Sequence, residues 1–407
     1  MLRLCIACKG SRLLCGRKSC PILAAVLKRR PELDKIARTK EFFGPSTSIF
    51  VGRMGYPTVG VGPLTVMDSV IMGEPDEWFA QGLDMEEIIE MRSATLRANR
   101  SENIVSQIKF VADMSEIAMA DRPTDIELVL KSKPTFKFAF SDIIQPAGAR
   151  VEVEKMRVTG SPKIPKKVES IVSDDLKAVE AATALYDLGL DVYKVSAVLS
   201  SGALGMNSGR KMVPTRWSIT ATDDIIYKKL AVQLKEYPPV ESFYVYEASY
   251  MDNHFLILLL PSLFEFENFE AWFPGAVWND AGRQGPEIFE DYEGFKGRCS
   301  YAAEEGGGYY ATRLAVAEAL HKMRRQAGVV VFREIQPGYS IPLGVWVVRE
   351  TARDAFRHSG EKFETCEEAL AYIDSRLLQL KHSLKISIAD FKVRSRILRQ
   401  RRLEDFW

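Results

Sequence analysis

Phe255-Leu256-Ile257-Leu258-Leu259-Leu260 is the longest run of large apolar residues in the chain. It is far short of the roughly 20 residues that a membrane-spanning helix needs. It suits a strand buried on both faces, bounded upstream by the turn residues Asp252 and Asn253. Ser242–Tyr250 and Val329–Glu334 read as further strands on either side, and Ala311–Gln326 reads as a helix. Leu343–Glu350 is expected to be a strand, and the tail from Glu367 to Arg402 mostly helical. Strands and helices mix without regular alternation, so the expected class is α+β, with mixed sheets and packed helices.

Upstream the pattern is similar. Residues 45–63 interleave Gly and Pro with Ile49, Phe50, Val51, Val59 and Val61, which predicts short strands and tight turns. The period turns helical from Asp84, with Ile88, Met91, Thr95 and Leu96 on one side, and a second helix is expected over Asn103–Met119. Phe136, Phe138 and Phe140 alternate, as do Val151 and Val153 and then, after a shift, Met156 and Val158. Ser173-Asp174-Asp175 and Thr222-Asp223-Asp224 look like helix caps, and Tyr193–Leu199 looks like a strand. Residues 264–297 are acidic and aromatic, with many turn residues.

A chain of 407 residues is too long for one ordinary core. Its charge is segregated: the net is +9 over residues 1–40, +6 over residues 376–407 and −14 between them. Basic ends attract phosphate backbones through counterion release, and an acidic body is repelled by them. We expect three parts: a metal module and basic helix at 1–40, an acidic α+β body of one or two subdomains at 41–375, and a basic helical tail at 376–407. The start of the chain lacks a signal-peptide pattern, so a cytoplasmic protein, nucleoid-associated through DNA, is expected.

Cys5, Cys8, Cys15 and Cys20 fall within sixteen residues as C-x₂-C-x₆-C-x₄-C. Four thiolates in so short a loop suit a closed structural zinc site. An iron–sulfur cluster uses the same ligands, and disulfides are disfavoured in a cytosolic chain. Lys9, Arg12, Arg17 and Lys18 would offset the negative charge of the site and, with Arg29 and Arg30, offer DNA contacts. Cys299 and Cys366 are isolated and read as small buried residues.

The chain stops at Gln400-Arg401-Arg402-Leu403-Glu404-Asp405-Phe406-Trp407. In one 3₁₀-type turn, Leu403, Phe406 and Trp407 form a compact apolar plug beside the Gln400 amide. Aromatic anchors of this kind dominate small interfaces. The pattern resembles the PIP box, Gln-x-x-aliphatic-x-x-aromatic-aromatic, by which repair proteins dock on the DNA sliding clamp PCNA. Gln400, Leu403, Phe406 and Trp407 fill its four slots.

In the body, two loops are candidates for a nucleotide phosphate. One runs from Ser200, Ser201 and Gly202 to Arg210, Lys211 and Arg216, where small residues let backbone N–H groups approach and cations clamp. The other, Gly306-Gly307-Gly308, precedes a helix, although Glu304 and Glu305 oppose an anion there. His254 is the one histidine set beside turn residues and a carboxylate, a candidate general base.

The Cys₄ cluster at one end, an α+β body and a PIP box at the other together resemble the Nre family of archaeal DNA-repair proteins. The resemblance implies a role in DNA-damage repair, PCNA as partner and bound zinc; it implies no reaction. A nucleotide-using transferase or hydrolase, and a non-catalytic clamp scaffold, are the alternatives.

Overall fold

The computed structural model describes residues 20, 39–66, 73–134, 148–279, 285–378 and 386–400. Two compact units divide the chain, one ending at Ile226 and the other starting at Tyr227. The class is α+β.

The first unit contains β1 (Glu41–Val51), β2 (Thr58–Val66), α1 (Pro75–Ala80), α2 (Met85–Ser93), β3 (Thr95–Asn103), α3 (Lys109–Met119), β4 (Thr124–Leu130) and β5 (Ala149–Val158). The helices α4 (Lys166–Ser173), α5 (Ala178–Asp187) and α6 (Val192–Ser201) follow, and α7 (Thr215–Leu234) starts in this unit. The five strands close into a barrel in the order β1-β2-β3-β5-β4. All pairs are antiparallel except β3 with β5. A closed Greek-key barrel of this order, with a helix between β3 and β4, has the topology of the oligonucleotide- and oligosaccharide-binding barrel. Closure leaves no unpaired edge to template aggregation.

Alternation fills the barrel. Val59 and Val61, Leu96 and Ala98, Ile126 and Leu128, and Val151 and Val153 point inward, and α3 adds Phe110, Met114 and Ile117 to the same core. The shift after Val153 is a bulge: Val129 pairs with Lys155, but Leu130 pairs with Val153. The extra residue re-aims the strand, so burial resumes at Met156 and Val158.

The second unit contains β6 (Phe243–Tyr250), β7 (Asn253–Leu260), β8 (Glu265–Trp272), β9 (Glu287–Glu293), α8 (Gly307–Met323), β10 (Gly328–Ile335), α9 (Val345–Ala355), β11 (Glu361–Phe363), α10 (Cys366–Leu378) and α11 (Ile388–Lys392). Its sheet runs β11-β6-β7-β10-β8-β9, with only β10 and β8 parallel. β7 and β10 are buried along their whole length, as their apolar runs require of central strands. One face packs Leu256, Leu258, Phe269 and Phe332 against Ala369, Ile373 and Phe391 of α10 and α11. The other face lies under α8 and α9, with Phe266 edge-on to Tyr309 at 5.3 Å between ring centres.

Several expectations change. Tyr193–Leu199 is helical, as α6, and Leu343–Glu350 runs into α9. Thr222 and Asp223 do not cap a helix; they are buried inside α7. Ser173 ends α4, Asp174 and Asp175 follow it, and Lys177 rather than these residues precedes α5. Thr95 and Leu96 belong to β3, not to a helix, and residues 264–297 hold β8 and β9. Cys299 is exposed and Cys366 half-buried. Phe136, Phe138 and Phe140 lie outside the described residues.

Candidate functional site

The second unit carries an unusual density of buried charge, centred on the parallel pair β8 and β10. Glu267, Asn268, Glu270, Arg333 and Glu334 are all buried. Burying a charge costs several kcal/mol unless it is paired and hydrogen-bonded, so their partners decide what the centre can do.

Arg333 and Glu270 face each other across the two strands and form an ion pair. Arg333 also donates from Nε to Asn253 Oδ1 at 3.1 Å. Trp272 Nε1 donates to the other Glu270 oxygen at 3.0 Å. Glu293 accepts from Arg313, from Tyr227 and, at 3.3 Å, from Tyr309. The Arg313 guanidinium lies 3.7 Å from the Tyr227 ring centre, a cation–π contact inside the core. Burial and the Glu293 charge hold the Tyr227 hydroxyl well above its ordinary pKa, so it remains a donor.

His254 sits on the opposite face of the sheet from Arg333. Its Nδ1 is 3.1 Å from Glu334 Oε2 and its Nε2 is 2.9 Å from Glu247 Oε1. Glu247 also accepts from Arg376 Nε of α10 at 2.8 Å. Burial lowers the His254 pKa, but the bonds to Glu247 and Glu334 outweigh it and the net shift is upward. Burial raises Glu247, yet His254 and Arg376 bring it down to about 2. A general base needs a free lone pair within reach of its substrate, and both His254 nitrogens are engaged. The geometry makes His254 a clamp between β6, β10 and, through Glu247, α10.

The sign of the pH dependence follows. A histidine with a raised pKa stabilises below about 6.5, and that contribution fades as pH rises through the folded value. Glu247 stabilises above its ordinary value of 4.5, and that contribution is lost as pH falls towards about 2. His254→Gln is therefore expected to lower the melting temperature most between those limits. The gap from wild type should narrow at pH 9; an equal gap at pH 5.5 and pH 9 would show a neutral histidine.

Several donors of the two candidate phosphate loops are engaged within the fold. Ser200 and Ser201 form the last turn of a helix, not a loop after a strand, and a helix C-terminus is the negative end of its dipole. Ser200 Oγ donates to Val213 O and Ser201 Oγ to Val198 O, each at 2.8 Å. Gly202 ends α6 in the left-handed region. Arg210 is spent on the carbonyls of Gly205 and Val172, while Lys211 and Arg216 are exposed. At the second loop, Asp291 occupies the place of an anion. It accepts from the backbone N–H groups of Ala303, Glu304 and Glu305, each at 3.0 Å, and pairs with Arg298. Gly306 starts α8 at φ 57°, with Gly307 as its first residue. Gly308 allows close helix–strand contact, since a Cβ there would stand 2.6 Å from Glu270 Oε1. Glu305 accepts from Asn268, and burial with the nearby Glu270 charge raises its pKa well above the carboxylate range.

The tail leaves the second unit at a defined anchor. Buried Glu267 accepts from Ser395 Oγ, from Arg396 N at 2.6 Å and from Ile397 N at 3.4 Å. Burial raises its pKa to about 7 despite these bonds. Ser395 and Ile397 are buried, whereas Arg399 and Gln400 are exposed. Leu403, Phe406 and Trp407 lie outside the described residues, as do Cys5, Cys8, Cys15, Lys9, Arg12, Arg17, Lys18, Arg29 and Arg30. Cys20 is half-buried.

Sequence reasoning missed Glu270, Glu293, Arg313 and Arg333. The available signal was Arg333-Glu334 closing an otherwise apolar strand, Val329-Val330-Val331-Phe332.

Family models for archaeal Nre match almost end to end: the N-terminal model over residues 14–279 and the C-terminal model over residues 293–406. The chain belongs to the archaeal Nre family. DNA repair protein NreB of Archaeoglobus fulgidus is 36% identical to it over 99% of both chains. NreA of the same organism is 36% identical over 92% of this chain and 93% of its own. NreA of Haloferax volcanii is 35% identical over 86% and 85%. No solved structure matches this Nre chain significantly. Among the described residues, no group of three or more His, Cys, Asp or Glu side chains is placed to hold a metal ion, and no helix is long and apolar enough to cross a membrane.

Proposed function

We propose that this Nre chain is a DNA-repair factor that is delivered to the sliding clamp PCNA by Gln400, Leu403, Phe406 and Trp407 and that contacts DNA. The observation that carries the reading is end-to-end similarity to relatives named DNA repair proteins. The tail supports the delivery step: anchoring at Glu267 ends by Ile397, and Gln400 is exposed just beyond it. Cys5, Cys8, Cys15 and Cys20 are proposed to hold a structural zinc, with the surrounding basic residues and the basic tail near DNA. Arg394 and Arg399 also tie the tail to carbonyls of Ile288 and Ser395, each at 2.8 Å.

The buried charges of the second unit are architectural in this reading. Among the described residues, each acid named above accepts a hydrogen bond from a donor of the fold, which favours a structural role for these acids.

A strain lacking this gene is expected to be sensitive to DNA-damaging agents. The full chain should restore survival, and a chain ending at Arg399 should not. Wild-type survival of the deletion strain would refute the repair role.

Zinc has its own check. Elemental analysis of the purified full chain should find about one zinc per chain, reduced on changing Cys5 and Cys8 to Ser. Iron in place of zinc would favour a cluster.

A further inference from the structure

The barrel of the first unit presents an outer face formed by β1, β2, β3 and β5. Arg97 of β3 and Arg150 of β5 are direct partners in the parallel register, so their side chains leave the barrel on the same side. Phe50 of β1 leaves on that side too, opposite Gly62 of β2. The Arg97 guanidinium lies 5.5 Å from the Phe50 ring centre, and among the described residues its buried Nε has no hydrogen-bond partner. Gly60 lets Arg150 lie across β2, because a Cβ there would stand 3.0 Å from Arg150 Nη2. Among the described residues, no carboxylate pairs with either guanidinium. Burial first, and then Arg150 itself, depress the Arg97 pKa, as expected of two adjacent cations lacking a counter-ion.

The β1–β2 loop continues the chain beyond Phe50 and adds exposed aromatic surface. Gly52 at its base lies against the Phe50 ring, 3.8 Å from a notional Cβ. Further along, Tyr56 packs on Trp217 of α7 with ring centres 5.3 Å apart. Both rings are nearly half exposed, at 46% and 45%, beside Met54 at 82%. Thr215 Oγ1 accepts from Val51 N at 2.9 Å and so fixes the start of α7, with Trp217, at the end of β1. Large aromatics left in water beside uncompensated guanidiniums are the groups that bind unpaired nucleotides: π-faces stack on bases and cations meet phosphates. Stacking within a duplex hides the base faces, so duplex DNA cannot use the rings. Fold topology alone implies no function; these side chains make the case.

We propose that the barrel binds single-stranded DNA, with phosphates on Arg97 and Arg150 and bases against Phe50, Tyr56 and Trp217. The choice of DNA over RNA rests on the repair reading above.

The test is fluorescence anisotropy of the full chain with labelled single-stranded dT20, across a salt series, with duplex DNA and rU20 as competitors. Tyr56→Ala/Trp217→Ala is expected to weaken dT20 binding about tenfold or more. Arg97→Gln/Arg150→Gln should reduce the slope of log affinity against log salt by about 1.4. Arg150→Gln alone, at an exposed position, should give half that change and guards against misfolding of the Arg97 variant. Unaltered dT20 affinity and salt slope in all these variants would overturn the proposal. So would tighter binding of duplex DNA or of rU20 than of dT20. The clamp-delivery reading stands or falls separately, because it depends on Gln400–Trp407 and not on the barrel.

Discussion

Arg333→Ala should destabilise the second unit by about 3–5 kcal/mol, because it strands Glu270 as an unpaired charge in the core. Both side chains are almost fully buried, at 3% and 4% exposure, so water cannot solvate the survivor. Asn253 would lose its donor as well. Arg333→Met combined with Glu270→Leu removes both charges at similar volume and should cost far less than the sum of the single changes. Thermal and denaturant unfolding of the four chains would measure the coupling. Additive losses would mean that Arg333 and Glu270 do not depend on each other. A large coupling fits a centre whose charges hold β8, β10 and β7 in register.

The second large effect concerns the tail. Removing residues 400–407 is expected to abolish clamp binding outright, since it takes all four motif residues. It should leave the melting temperature unchanged, because Gln400 is exposed and its described bond, from its N–H to Ile397 O at 3.3 Å, is local to the tail. Cutting further back is different. A chain ending at Val393 loses Ser395, Arg396 and Ile397, the donors to buried Glu267, and the Ile397 side chain from the core. That truncation should destabilise the second unit, by a few kcal/mol on general grounds. The contrast separates the docking peptide from the segment that anchors it.

How much was legible in the sequence differs by element. β6, β7 and β10 were readable because continuous apolar or alternating runs sit between turn residues. α6 and α9 were misread for one physical reason: short runs rich in Val, Tyr and Trp fit a buried strand and a buried helix equally well. The distinguishing marks lay at their ends. Asp191 accepts from Lys194 N at 2.8 Å as an N-cap and Gly202 closes α6 in the left-handed region, while Gly344 with φ 111° precedes α9. β8 was hidden because Glu265-Phe266-Glu267-Asn268-Phe269-Glu270 looks solvated. Its acids are tolerated in the core only because Ser395, Arg333 and α8 reach them from distant parts of the chain. α7 starts seven residues before the expected cap at Thr222, just after Pro214, whose carbonyl accepts from Ser218 N at 3.0 Å. The barrel face was illegible for a related reason. Phe50, Arg97 and Arg150 are remote in sequence, and only strand register brings them to one side. The four-cysteine cluster and the Gln400–Trp407 pattern are local in sequence, which is why the sequence displays them so clearly.

Calorimetric titration of the sliding clamp with the full chain and with the chain ending at Arg399 tests the central claim most directly. The account predicts binding by the full chain and no detectable heat from the shortened one, with identical melting curves. Equal affinity of the two chains for the clamp would contradict it.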